Sequence, residues 1–168
     1  MEERLIKKLS NIKMLAMDID GTLSDGGMYY SKAGEELKRF YVRDGMGIDL
    51  LHKNGILTAF ITSEVNEIVT ARAKKLKVNK VILGSWEKDK ELKNLADEFG
   101  FAIDEIAFIG DDVNDISALQ IAGFSACPKD AARSVIPYVD YKCAHKGGKG
   151  AVRELADLIL NAKNIFIP

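Results

Sequence analysis

Short, wholly apolar runs recur along this chain, and stretches with helical spacing follow them. Met14-Leu15-Ala16-Met17, Leu57–Ile61, Val81-Ile82-Leu83, Ile106–Ile109 and Phe124-Ser125-Ala126 read as buried strands. The spacing predicts helices over 4–10, 66–76, 87–99, 114–122 and 151–162, and a short one over 131–135 before Pro137. Gly100 and Gly123 stop two of them. Asp44 is expected to cap a further helix from Met46 to Asn54, with Gly55 as its stop. Met28-Tyr29-Tyr30 and Glu36–Phe40 flank Ser31-Lys32-Ala33-Gly34 and predict a small hairpin. Alternating strands and helices of this kind predict an α/β domain over 1–168. Its Rossmann-like parallel sheet would carry helices on both faces.

Polar residues sit at the ends of those strands. Asp18 and Asp20 end the first, Thr62 the second, and Asp111 and Asp112 the fourth. In open parallel sheets the site lies at the carboxyl ends of the strands, so these residues converge on one edge. Two carboxylates two residues apart repel each other and resist desolvation unless a cation lies between them. The pair makes sense if one Asp attacks an electrophile and the other moves protons. The competing reading is plain strand-end capping.

Composition narrows the function classes. The chain has 168 residues, 47% hydrophobic content and a net charge of −1, which fits a soluble globular protein. That balance gives no reason to expect nucleic acid or membrane as a partner. Cys127 and Cys143 fit reduced thiols better than a disulfide framework. The Met1-Glu2-Glu3-Arg4 start lacks the layout of a signal peptide, so a cytoplasmic setting is expected.

The run Asp18-Ile19-Asp20-Gly21-Thr22 resembles the first motif of the haloacid dehalogenase (HAD) superfamily, and Gly110-Asp111-Asp112-Val113-Asn114-Asp115 resembles its fourth. Most members are Mg2+-dependent phosphatases. The resemblance implies that Asp18 is the nucleophile and forms an aspartyl-phosphate, with Asp20 as the acid and base. It implies Mg2+ on Asp18, Asp111 and the backbone carbonyl of Asp20, with Asp112, Asn114 and Asp115 behind them. Thr62 resembles the hydroxyl that binds the phosphoryl group, and Lys88 the lysine that steadies Asp18 and the phosphate. A lone strand-end Thr is otherwise structural, and a lone Lys at a helix start is otherwise a solvated charge that opposes the dipole. The dipole alone could explain Asp115, but hardly all three Asp residues of the fourth motif.

The residues between Asp20 and Ser63 are used up by the hairpin (about 26–41) and one helix, so no cap domain is expected. Ser24-Asp25-Gly26 to Tyr30, Gly34–Lys38, Val42-Arg43-Asp44-Gly45-Met46-Gly47-Ile48 and Gly147-Gly148-Lys149-Gly150-Ala151-Val152-Arg153-Glu154 resemble the 3-deoxy-D-manno-octulosonate 8-phosphate phosphatase family. The family also holds phosphatases for 2-keto-3-deoxynononate 9-phosphate and N-acetylneuraminate 9-phosphate. Members are homotetramers in which hairpins pack together and a C-terminal segment (here about 145–163) closes a neighbour's site. After Thr62 the octulosonate branch usually reads Gly-Arg, whereas this chain reads Ser63-Glu64. Glu64 and Lys75 match positions where nine-carbon-acid phosphatases carry Glu and Lys. Arg43, Arg72, Lys146 and Lys149 are candidates for the substrate carboxylate. All six can equally be surface charges. Glu87 stands where Asp is usual, and Lys146 where Arg is usual.

Two other classes compete. Receiver-like phosphorylatable signalling modules also combine an acidic pair, an acceptor Asp, a hydroxyl and a Lys, but their acceptor lies on a middle strand. A catalytically silent assembly domain would be favoured by a missing Asp18 or Asp20, and both are present.

Overall fold

A computed structural model describes residues 2–166 of the chain. It contains α1 (Glu3–Asn11), β1 (Met14–Met17), β2 (Tyr29–Ser31), β3 (Gly34–Leu37), α2 (Val42–Lys53), β4 (Leu57–Ile61) and α3 (Glu67–Leu76). These are followed by β5 (Lys80–Ile82), α4 (Lys88–Phe99), β6 (Ile106–Ile109), α5 (Ile116–Ile121), β7 (Phe124–Cys127), β8 (Tyr141–Lys142) and α6 (Ala151–Ala162). Six strands form one sheet in the order β5-β4-β1-β6-β7-β8, and every neighbouring pair is parallel.

The sheet explains why the strands read as solid apolar runs. Successive side chains on β1 point to opposite faces, and both faces are covered. Leu15 and Met17 pack with Ile48, Leu51, Phe60, Leu155 and Ile159, beneath α2 and α6. Met14 and Ala16 pack with Leu92, Leu95, Ile106, Phe108 and Leu119, beneath α4 and α5. β1 lies between β4 and β6, so the chain leaves β1 to one side and later returns to the other. A crevice opens where that order reverses.

β2 and β3 form a separate antiparallel hairpin between β1 and α2. No further domain interrupts the sheet among the described residues.

Three expectations need correction. The sheet has a sixth strand, β8, which is only two residues long and too short to announce itself by periodicity. Residues 131–135 make turns, and a single 3₁₀ turn forms at Ile136–Tyr138 instead. Pro137 tolerates that position because a first-turn N–H has no intrahelical partner to lose. Asp44 does not cap its own helix, which already begins at Val42. It is fully buried, and its carboxylate accepts the N–H groups of Gly150 (3.2 Å) and Arg153 (2.8 Å) at the start of α6. It is a cap in trans, joining two helices far apart in sequence. Asp44→Ala would strand two donors, one buried and one partly buried. It is expected to cost about 2–3 kcal/mol, measurable as a lower urea midpoint.

Candidate active site

β1 delivers Asp18 at the open edge. Its N–H donates to the carbonyl of Ile109 (3.0 Å), continuing the β1–β6 ladder by one step. The chain then turns through a wide loop over Ile19–Leu23, closed by Ser24 N–H donating to Ile19 O (2.8 Å). Gly21 has φ +90 within that loop, a conformation that L side chains rarely adopt. A Cβ on Gly21 would also lie 2.1 Å from Asp111 Oδ2. Two demands on one position explain the glycine between Asp20 and Thr22.

Lys88, the first residue of α4, has a fully buried side chain. Its Nζ meets Asp18 Oδ1 at 2.6 Å and Asp115 Oδ1 at 2.5 Å. The other oxygen of Asp115 accepts the N–H groups of Asp111 (2.8 Å) and Asp112 (3.2 Å). Both oxygens of Asp115 are therefore engaged, and it fixes the loop that presents Asp111. Thr22 Oγ1 donates to Asp111 Oδ1 (3.1 Å). One carboxylate oxygen from each of Asp18, Asp111 and Asp115 lies within 4.8 Å of the others.

Three carboxylates share one lysine here. Burial raises the Asp18 carboxyl well above the usual range. Asp115 and Asp111 add to the rise, and Lys88 opposes it. Burial and Asp115 push Asp111 up to about 7, against the hydrogen bond from Thr22. Burial pulls Lys88 down, but Asp18 and Asp115 outweigh it and hold its pKa above the ordinary lysine value. A divalent cation fits this donor set. Hard oxygen ligands suit Mg2+, and added positive charge relieves carboxylate crowding.

Asp20 sits two residues beyond Asp18, with Oδ1 held by Lys38 Nζ at 2.6 Å and by Ser24 Oγ at 3.3 Å. Its Oδ2 is buried without a hydrogen-bond partner among the described residues. Thr62, one step past β4, is buried, and its Oγ1 accepts the N–H of Glu64 (3.1 Å). Ser63 Oγ accepts from Asn114 Nδ2 (3.3 Å), which ties the β4 and β6 loops together. Asp112 is exposed and caps the following turn through Val113 N–H (2.7 Å).

The glycine-rich loop before α6 reaches the same edge. Gly148 N–H donates to Thr22 O (3.0 Å), and a Cβ on Gly147 would lie 1.7 Å from Gly21 O. Only a glycine lets these two loops touch.

The candidate substrate residues are scattered within one chain. Glu64 is exposed, in a groove shared with Tyr30, Glu35 and Asn66. Arg72 is half-buried with its guanidinium 5.3 Å above the Phe40 ring. Lys75 lies in a different groove, with Asp49, His52 and Lys53. Arg43 and Lys149 line a cavity of about 450 Å³ with His145 and Arg153. Lys146 is exposed, and its carbonyl accepts Lys149 N–H (3.1 Å). Sequence reasoning missed Thr22, Ser24, Lys38 and Glu35. All four lie inside segments that carry the family resemblance, but nothing local assigns them a role. Lys38 is found only by its distant partner.

A family model described as haloacid dehalogenase-like hydrolase matches residues 51–155. The 3-deoxy-D-manno-octulosonate 8-phosphate phosphatase of Haemophilus influenzae is 38% identical over 157 residues, covering 94% of this chain and 87% of that protein. Its Escherichia coli K12 counterpart is also 38% identical, over 95% of this chain and 85% of its own length. The crystal structure of the Moraxella catarrhalis enzyme of that name, in complex with magnesium ion, phosphate ion and KDO, superposes with a TM-score of 0.94. It is 38% identical, and the match covers 98% of this chain and 94% of that one. A cobalt-bound Haemophilus influenzae structure superposes at 0.91, again with 38% identity, over 94% of this chain and 92% of that one.

Proposed function

This chain belongs to the haloacid dehalogenase-like hydrolases, in the family of the 3-deoxy-D-manno-octulosonate 8-phosphate phosphatases, and from that premise we propose that it hydrolyses the phosphate monoester of a 2-keto-3-deoxy sugar acid. It is a phosphoric monoester hydrolase, and Mg2+ is its cofactor. The observation that carries the reading is the Asp18–Lys88–Asp115–Asp111 cluster at the switch point, with Asp20 standing apart on a separate lysine.

Asp18 attacks phosphorus, and the bond from phosphorus to the sugar oxygen breaks as the new one forms. Its Oδ1 is steered by Lys88, whose fixed charge also meets the phosphoryl oxygens. Asp20 delivers a proton to the departing alkoxide through its free Oδ2. It then takes a proton from the water that attacks the aspartyl-phosphate, and release of phosphate regenerates Asp18. Thr62 donates its hydroxyl hydrogen to the phosphoryl group, since its oxygen already accepts from Glu64 N–H. Asp18, Asp111 and the carbonyl of Asp20 would hold Mg2+, which supplies charge neutralisation on the transferring group. Asp115, with Asp112 and Asn114, orients the loop that carries Asp111.

Residues 1–168 form one catalytic domain in this proposal, with the hairpin as a flap. The flap exposes Met28, Tyr29, Tyr30 and Leu37. That apolar surface supports a homotetramer in which neighbouring subunits bring Arg72, Lys75, Arg43, Lys146 or Lys149 to a partner's substrate. The proposed setting is the cytoplasm. No described helix is long and apolar enough to cross a membrane.

The eight-carbon 3-deoxy-D-manno-octulosonate 8-phosphate is the first choice of substrate, because the relatives at 38% identity bear that name. The Ser63-Glu64 departure favours the nine-carbon acids as the second. Phosphate release from the octulosonate, nononate and neuraminate phosphates, compared by kcat/KM, decides between them. Weak activity on all three would sink the sugar-acid reading.

Metal binding should depend on pH. Asp111 must lose its proton to ligate, and that proton comes off near 7. Below pH 7, Mg2+ affinity should weaken by at least about tenfold per pH unit, because Asp111 and the similarly raised Asp18 must both be ionised to ligate. Between roughly pH 4 and 7 the metal-free folded chain keeps a proton that the unfolded chain has released. Its stability therefore falls as pH rises across that window. Calorimetric titration with Mg2+ and metal-free melting curves at several pH values check both signs.

A further inference from the structure

The flap is wired to the acid–base residue. Lys38 follows β3, and its side chain is completely buried although the hairpin itself is exposed. Its Nζ lies 2.6 Å from Asp20 Oδ1 and 2.8 Å from Glu35 Oε1. Glu35 Oε2 in turn accepts from Asn66 Nδ2 at 2.7 Å. Asn66 is the cap of α3, where its side chain accepts Ile68 N–H at 2.8 Å. A continuous polar chain thus runs from Asp20, through the flap, to the helix that follows Thr62.

A buried lysine between two carboxylates could be mere charge compensation. The asymmetry at Asp20 argues for more. Oδ1 is held twice, by Lys38 and Ser24, while Oδ2 is buried with no partner among the described residues. Pinning one oxygen fixes the rotation of the carboxyl group and therefore the direction in which the other oxygen points.

We propose that Lys38 is a positioning residue for proton transfer to the leaving group, and that Glu35 and Asn66 make this positioning depend on the seating of the flap. The proposal rests on the acid–base reading of Asp20 given above. Atoms balance simply: Oδ2–H gives its proton to the sugar oxygen as the phosphorus–oxygen bond breaks, and Lys38 keeps its own protons throughout.

The test uses the full-length Mg2+ enzyme and two substrates. In 3-deoxy-D-manno-octulosonate 8-phosphate the leaving group is an alkoxide that needs a proton. In p-nitrophenyl phosphate it is a stable phenolate that does not. kcat/KM covers events only up to loss of the alcohol, so it isolates this step. Well-placed general acids contribute roughly 10²–10⁴-fold. Lys38→Met should therefore lower kcat/KM for the sugar-acid phosphate by about 100-fold, and for the aryl phosphate by less than about threefold. Glu35→Gln leaves Lys38 in place and removes its second anchor. It should shift the ratio in the same direction by about fivefold, and it decides the matter if Lys38→Met does not fold. Equal losses on both substrates in either folded variant would overturn the proposal, because a structural lysine lowers both alike. Asp20→Asn serves as the reference. If it leaves the substrate ratio unchanged, the acid–base reading itself fails.

Discussion

Asp18→Asn lowers kcat by about 10⁴-fold or more while the chain remains folded, in line with the loss of other catalytic nucleophiles. The change is nearly isosteric, but an amide is a far poorer nucleophile towards phosphorus. It also removes one negative charge from a set of three carboxylates within 4.8 Å of one another. Asp18 is held protonation-prone by burial and by its acidic neighbours, so a neutral group there relieves repulsion in the metal-free state. Thermal stability without Mg2+ should hold or rise, while Mg2+ affinity falls. A single-turnover assay and a melting curve on the same sample separate the two effects. Turnover within tenfold of the parent would remove Asp18 from the nucleophile role.

Lys88→Met has the opposite signature. Lys88 is buried, and it is the cation between Asp18 and Asp115. Its removal leaves two buried carboxylates facing each other. Breaking a buried pair by removing one partner costs about 3–5 kcal/mol. In a chain of this size that is a fall in Tm of about 6–20 °C. Saturating Mg2+ should restore part of the loss, because a dication supplies some of the missing charge. kcat falls by roughly 10²–10³-fold as well, since a preorganised positive group is lost from the phosphoryl site. A drop in metal-free Tm smaller than about 3 °C would mean that Asp18 and Asp115 do not depend on Lys88 for charge balance.

How legible each of these residues is depends on how far its partner lies along the chain. Asp18, Asp20, Thr62 and Asp111 are visible because each follows an apolar run, and an apolar run marks a strand whose end has only one face of the sheet to reach. The Asp44 cap is misread for the complementary reason. A carboxylate near a helix start looks like its cap, yet Asp44 lies within the first turn of α2 and its partners are Gly150 and Arg153. β8 and the turn at Ile136–Tyr138 escape notice because two or three residues carry no period.

By itself, the sequence determined the alternation of strands and helices, the fold class and the edge on which polar residues gather. These follow from periodicity and strand-end chemistry, which are local. Only the tertiary structure decided that Lys88 joins Asp18 to Asp115, that Asp115 spends both oxygens on positioning, and that Lys38 ties a surface hairpin to Asp20. It also separated Lys75 from Glu64 within one chain. The reason is physical. A lysine in sequence is an exposed charge by default, and only the desolvated pocket made by distant segments turns it into a fixed cation with two carboxylates to hold.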